Sequence, residues 1–394
     1  MIDDLVIKSD HKICLLVIDG LGDIPSGDQT PLERAKTPNL DALAPSSAMG
    51  LLYPVAPGIT PGSGPGHLAL FGYDPLKNQI GRGLLEALGV GIEVGPDDLC
   101  LRANFATLKD NVVVDRRAGR ISTDENIRLC RRLSQIKEIE DVTVRIKSGK
   151  EHRFVVVFNG KRLSADVADA DPQKSGKEMV LAKAILPDAE KTARIINSYI
   201  SLADEVLGDE ERANHILLRG AASYPDLRTM EERYKLKCLA LASYPMYLGI
   251  ARLLGMVAIN PGPDYRTLFE TYVKEKEKYD FVYIHIKETD KAGEDGNFEE
   301  KTRVIEKIDS SLKVLIEDQP AVLAITADHS TPTKLRSHSW HPCPLLIKST
   351  YSPQDRLPRF TEKNCTSGSI GHIRGIDLFP LLLANSLRLK KYGA

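Results

Sequence analysis

Three apolar runs, each closed by an acidic residue, constrain this chain more than any other feature. Ile13-Cys-Leu-Leu-Val-Ile runs into Asp19-Gly20. Phe281-Val-Tyr-Ile-His-Ile runs into Lys287-Glu-Thr-Asp290, and Ala321-Val-Leu-Ala-Ile-Thr into Ala327-Asp328-His329. A continuous apolar run of this length reads as a strand buried on both faces, the mark of a parallel sheet. The intervening segments read as helices. Thr37 can cap a helix begun by Pro38. Residues 245–255 predict a helix ending at Gly255, and 265–278 and 299–317 predict two more. Alternation at roughly 20–40 residues per unit implies an α/β fold with a mainly parallel sheet, right-handed crossovers and flanking helices.

From about residue 86 the texture changes. Val142–Ile146 and Arg153–Phe158 flank a polar turn at Ser148-Gly149 and predict an antiparallel hairpin. Apolar side chains at 193, 196, 200, 203 and 207 form a helical stripe. This stretch reads as an inserted α+β unit. The expected division is a discontinuous core of residues 1–85 and 226–394, with an insert of residues 86–225.

Residues 60–75 hold a Gly/Pro-rich stretch around one serine, Pro61-Gly-Ser63-Gly-Pro-Gly-His67. Such a sequence cannot sit inside a helix or a central strand. It reads as a tight turn opening a helix, where glycines admit backbone N–H groups close to an anion and the helix start adds positive charge. Ser63 is then placed to carry a phosphoryl group. His67, four residues on, shares its face. A plain surface turn with a helix cap has the same composition.

In an open α/β sheet ligands bind at the C-terminal ends of the strands, where Asp19, Asp290, Asp328 and His329 all fall. One such aspartate is usually a cap or turn residue. Three with a histidine make a set of oxygen and imidazole ligands suited to Mn²⁺, Mg²⁺ or Zn²⁺. His338 and His341 follow closely in Ser337-His-Ser-Trp-His-Pro. Paired cations about 3.5–4 Å apart polarise a phosphate and ionise a hydroxyl such as that of Ser63. Arg82, Arg102, Arg116, Arg117 and Arg120 form a basic cluster whose guanidinium forks match phosphate and carboxylate oxygens. A solvated charged face has the same pattern.

The net charge of −1 across 394 residues gives no reason to expect nucleic acid or an anionic membrane as partner. Ile13–Ile18 is too short for a signal-peptide core or a membrane span, so a cytoplasmic protein is expected. The six cysteines are scattered without a Cys-x-x-Cys pair and read as reduced, mostly buried thiols.

Along nearly its whole length the sequence resembles the archaeal-type 2,3-bisphosphoglycerate-independent phosphoglycerate mutases of the alkaline phosphatase superfamily. The resemblance is carried by Asp19-Gly20, Thr37-Pro-Asn-Leu-Asp, Pro61-Gly-Ser with His67, and Phe71-Gly-Tyr-Asp-Pro. It continues through Gly81-Arg-Gly, Arg102-Ala-Asn-Phe-Ala-Thr, Asp115-Arg-Arg-Ala-Gly-Arg, Lys287 to Asp290, Ala327-Asp-His-Ser and His338-Ser. It implies an alkaline-phosphatase-like core with a substrate-binding cap. It also implies transfer of a phosphoryl group from 3-phosphoglycerate to Ser63 and back onto the 2-hydroxyl. One divalent ion would be held by Asp19, Ser63, Asp328 and His329, the other by Asp290, His338 and Glu294. The family has histidine where this chain has Glu294, and a glutamate favours Mn²⁺ or Mg²⁺ over Zn²⁺. The cap arginines, with Lys237, would bind substrate. The same residues also fit a metal-dependent phosphohydrolase or another sugar-phosphate mutase. Glu294 by itself would fit a non-catalytic binding protein.

Overall fold

In a computed structural model, residues 2–393 of the chain are described. They divide into two compact units, Met1–Gln79 with Leu227–Ala394, and Ile80–Asp226.

The larger unit is built on an eight-stranded sheet. Its strand order is Val257–Ile259, Cys238–Leu241, Phe281–Ile286, Ile13–Ile18, Val322–Thr326, Cys343–Ser349, Ala48–Tyr53, Gly371–Arg374. Cys343–Ser349 runs antiparallel to both neighbours, and the other pairings are parallel. The three apolar runs are the adjacent strands Phe281–Ile286, Ile13–Ile18 and Val322–Thr326. All six residues of Ile13–Ile18 are buried, as a strand covered on both faces requires. In register, Ile18 pairs with Ile286 and Val17 with Thr326, so the three strands end at one edge. The fold is thus the expected α/β class with a mainly parallel sheet.

Local differences have physical causes. Thr37 does not cap Pro38–Leu43; its hydroxyl instead bonds Asp41 at 3.2 Å. The helix expected over 299–317 is two, Phe298–Ser311 and Lys313–Asp318, meeting at Leu312. Ala48–Tyr53 carries Gly50 in mid-strand, which weakens a strand signal. A Cβ there would lie 2.5 Å from the Gly371 carbonyl oxygen.

The smaller unit is α+β. Its long strand Asp98–Lys109 pairs antiparallel with Arg153–Asn159 and with His215–Ser223. Val142–Ser148 and Arg153–Asn159 form the expected hairpin. The helix Glu190–Leu207 buries Ala193, Ile196, Ile200, Ala203 and Leu207, the stripe visible in the sequence. All six cysteines are buried and free. Among the described residues no helix is long and apolar enough to cross a membrane.

Candidate active site and metal-ligand cluster

Because three neighbouring strands run the same way, the residues that follow them meet. Asp19 donates its backbone N–H to the Ile286 carbonyl at 2.9 Å. Asp290 lies on the short helix Glu288–Glu294 that follows Phe281–Ile286, and Asp328-His329 follows Val322–Thr326. Gly20 sits at φ 65°, and a Cβ on it would lie 2.6 Å from Thr331 Oγ1 and 2.8 Å from Asp290 Cα. Only glycine makes that turn with the ligand loops so close.

Ser63 is the first residue of the helix Ser63–Leu70, and Gly62 before it makes no side-chain cap. The helix lies against the end of the third strand: a Cβ on Gly66 would be 2.3 Å from the Asp328 carbonyl oxygen. His67 is fully buried, and its Nδ1 donates to the Ser63 carbonyl at 2.8 Å. Burial pushes the His67 imidazole down to about 3, so it is neutral.

Ser63 Oγ lies 3.2 Å from His329 Nε2. The same nitrogen is 3.3 Å from Asp19 Oδ1 and 3.3 Å from Asp328 Oδ2. His338 Nε2 is 3.4 Å from Asp290 Oδ1, and the His329 and His338 rings stack at 3.6 Å. Two sets of convergent ligand atoms result, Asp19–Asp328–His329 and Asp290–His329–His338. Asp19 Oδ1 and Asp328 Oδ2 are buried without a hydrogen-bond partner among the described residues. Burial works against the Asp19 charge, but the His285 hydrogen bond and the His329 and Lys287 charges hold its carboxyl well below the usual range. Burial and the neighbouring Asp19 push the Asp328 carboxyl well above it. Three carboxylates in one dry place, two with an unsatisfied oxygen, are a donor set that fits hard divalent cations.

The structure does not gather every expected residue. Glu294 is more than half exposed, and its Oε1 is 3.9 Å from His338 Nε2, outside both sets. His341 Nδ1 turns to Ser339 Oγ at 3.0 Å. Lys237, expected to bind substrate, is not gathered with this cluster. It is exposed just before Cys238–Leu241 and bonded through its backbone N–H to Asp280. That is the N-terminal end of the parallel sheet, and the cluster is at the C-terminal end. In the smaller unit, Arg102 Nε pairs with Glu86 at 2.7 Å, and Arg116 forks onto buried Asp171 at 2.8 and 2.6 Å. The guanidinium groups of Arg82, Arg117 and Arg120 have no ion-pair partner among the described residues.

Four further residues belong to the cluster and were not singled out from the sequence. Lys287 Nζ bridges Asp19 Oδ2 at 3.2 Å and Asp290 Oδ2 at 2.5 Å. Tyr247, on the helix Pro245–Leu253, donates its hydroxyl to Asp19 and stacks on His285 at 3.6 Å. His285 Nε2 donates to Asp19 Oδ2 at 3.1 Å. Thr331 bonds His329 and Asp290. A buried histidine inside an apolar strand, at 285, was the available signal.

The family described as 2,3-bisphosphoglycerate-independent phosphoglycerate mutase matches residues 44–213. A relative from Thermotoga neapolitana, named "Probable 2,3-bisphosphoglycerate-independent phosphoglycerate mutase", is 52% identical over all of this chain and 98% of its own length. The chain belongs to the 2,3-bisphosphoglycerate-independent phosphoglycerate mutases. A relative of the same name from Aquifex aeolicus is 51% identical, with both chains fully covered. Among solved structures, the cofactor-independent phosphoglycerate mutase of Thermoplasma acidophilum is 31% identical. It covers 95% of this chain and all of its own, at a TM-score of 0.73. A protein from Pyrococcus horikoshii is also 31% identical over 98% of this chain and all of its own, at a TM-score of 0.84.

Proposed function

We propose that this mutase interconverts 3-phosphoglycerate and 2-phosphoglycerate through a phosphoserine at Ser63, without 2,3-bisphosphoglycerate, at a site holding two divalent cations. The observation that carries the reading is Ser63 Oγ at an uncapped helix N-terminus, 3.2 Å from His329 Nε2. Around it lie buried carboxylate oxygens without a hydrogen-bond partner among the described residues.

Asp19, Ser63, Asp328 and His329 are assigned to one cation, and Asp290, His338 and Glu294 to the other, with Mn²⁺ or Mg²⁺ favoured. Bound cations supply positive charge that lowers the serine hydroxyl pKa and offsets charge on the phosphoryl oxygens. Ser63 Oγ attacks phosphorus: the Oγ–P bond forms, the bond from phosphorus to glycerate O3 breaks, and O3 ends with the proton that Ser63 gives up. After glycerate turns, O2 attacks phosphorus and the transfer runs back. First-turn N–H groups of Ser63–Leu70 add donors and partial positive charge for the phosphoryl group. The guanidinium groups of Arg82, Arg117 and Arg120, which pair with no carboxylate among the described residues, are assigned to substrate oxygens, together with Arg102 and Arg116. Water must be kept from the phosphoserine, or transfer becomes hydrolysis. The setting is glycolysis and gluconeogenesis in the cytoplasm.

The test is acid quenching during turnover, followed by mass spectrometry of the peptide carrying Ser63. A phosphoryl group on Ser63 that appears with substrate supports the reading. Turnover with Ser63 never modified contradicts it.

A further inference from the structure

One hydroxyl joins the two ligand sets. Thr331 Oγ1 is 2.6 Å from Asp290 Oδ1 and 3.0 Å from His329 Nδ1. A hydroxyl has a single proton, and the Asp290 carboxylate can only accept one. The Thr331 proton therefore goes to Asp290, and the Thr331 oxygen accepts from His329 Nδ1–H. That fixes the His329 tautomer and leaves its lone pair on Nε2. The Nε2 atom is the one 3.2 Å from Ser63 Oγ and 3.3 Å from both Asp19 Oδ1 and Asp328 Oδ2.

The surroundings hold Thr331 in place from several sides. It is fully buried. Its N–H donates to the Gly22 carbonyl at 3.0 Å. Its own carbonyl accepts from the ammonium of Lys301 at 2.9 Å, and that fully buried group is anchored on Asp23 at 2.9 Å. Two glycines make room for it. A Cβ on Gly20 would meet Thr331 Oγ1 at 2.6 Å, and one on Gly293 would meet its carbonyl oxygen at 2.3 Å.

We propose that Thr331 is a positioning residue for the mutase reaction. It assigns His329 to the Asp19–Asp328–Ser63 set through its Nε2, and it couples that set to Asp290. The inference rests on the two-cation reading above. His329 alone is ambiguous, because its ring also lies within ligand distance of Asp290 and His338; the Thr331 hydroxyl resolves the ambiguity. Partners of this kind tune metal affinity by about 10–100-fold.

The experiment compares wild type, Thr331→Val and Thr331→Ser by calorimetric Mn²⁺ titration. It also reads the His329 tautomer in metal-free wild type by long-range ¹H–¹⁵N NMR. Valine keeps the shape and loses the hydroxyl, and serine does the reverse. The expected result is Mn²⁺ affinity weakened about 10–100-fold in T331V, near wild type in T331S, and an Nδ1–H tautomer for His329. A packing role alone predicts the opposite order, with T331V like wild type and T331S impaired, and that order overturns the proposal. So does an Nε2–H tautomer, which is read in wild type and stands even if T331V fails to fold. Wild type binding no Mn²⁺ would overturn the two-cation reading itself and this proposal with it.

Discussion

Ser63 Oγ and His329 Nε2 lie 3.2 Å apart although 266 residues separate them. One comes from a Gly/Pro turn at a helix start, the other from the end of a central strand. Their meeting is a consequence of parallel topology: strands that run together end together.

Ser63→Ala removes the oxygen proposed to attack phosphorus and should leave the first turn of Ser63–Leu70 intact. Mutase activity should fall below detection, with thermal melting and circular dichroism close to wild type. Retained turnover in a verified variant would refute the serine mechanism.

Lys287 is the ammonium held between Asp19 and Asp290. Lys287→Met leaves these carboxylates to repel one another in the metal-free protein. Its metal-free Tm should drop by several degrees, and Mn²⁺ should recover most of the loss. A deficit that Mn²⁺ does not reduce would show that Lys287 acts by packing alone.

Two arginines of the smaller unit should separate a structural role from the proposed substrate binding. Arg116→Met strips the bidentate partner from buried Asp171 and should cost about 2–3 kcal/mol of stability in urea melts. Arg117→Met breaks no ion pair among the described residues and should leave stability within about 0.5 kcal/mol while raising KM. Equal stability losses in the two would contradict the assignment.

Burial pushes the Glu362 carboxyl up to about 7 from an ordinary 4.5. A raised folded-state value stabilises fully below the unfolded value, and that contribution is lost as pH rises through the folded one. Stability from this group should therefore decline between about pH 4.5 and 7. Urea melts at pH 5, 6, 7 and 8 should show a slope in wild type that Glu362→Gln flattens. An unchanged slope would locate the titration elsewhere.

Glu294 stands where the resemblance seen in the sequence implies a histidine, and it lies outside both convergent ligand sets. Glu294→His should shift preference toward Zn²⁺ relative to Mn²⁺, read by competition between the two ions. No shift would mean that position 294 does not ligate.

The fold core was legible because buried parallel strands write themselves as unbroken apolar runs. Ile13–Ile18 and Phe281–Ile286 match their runs end to end, and Val322–Thr326 to within one residue. Asp19, Asp290, Asp328 and His329 were legible because they follow those runs directly. Ala48–Tyr53 and Cys238–Leu241 were not, being short or broken by glycine. Tyr247, Lys287 and Thr331 escaped for another reason: each acts through a contact that only tertiary structure creates. Lys237 stands apart from the cluster because it precedes its strand, at the end of the sheet away from the ligand residues.

Mutase and phosphatase activity are told apart by a coupled assay on 3-phosphoglycerate, with enolase reporting 2-phosphoglycerate and free phosphate followed in parallel. It is run without 2,3-bisphosphoglycerate, before and after chelation and Mn²⁺ reloading. A two-cation phosphoserine mutase should form 2-phosphoglycerate in a reaction that chelation abolishes and Mn²⁺ restores, with little free phosphate. Free phosphate as the main product, or no turnover from a folded and metal-loaded sample, would contradict that reading.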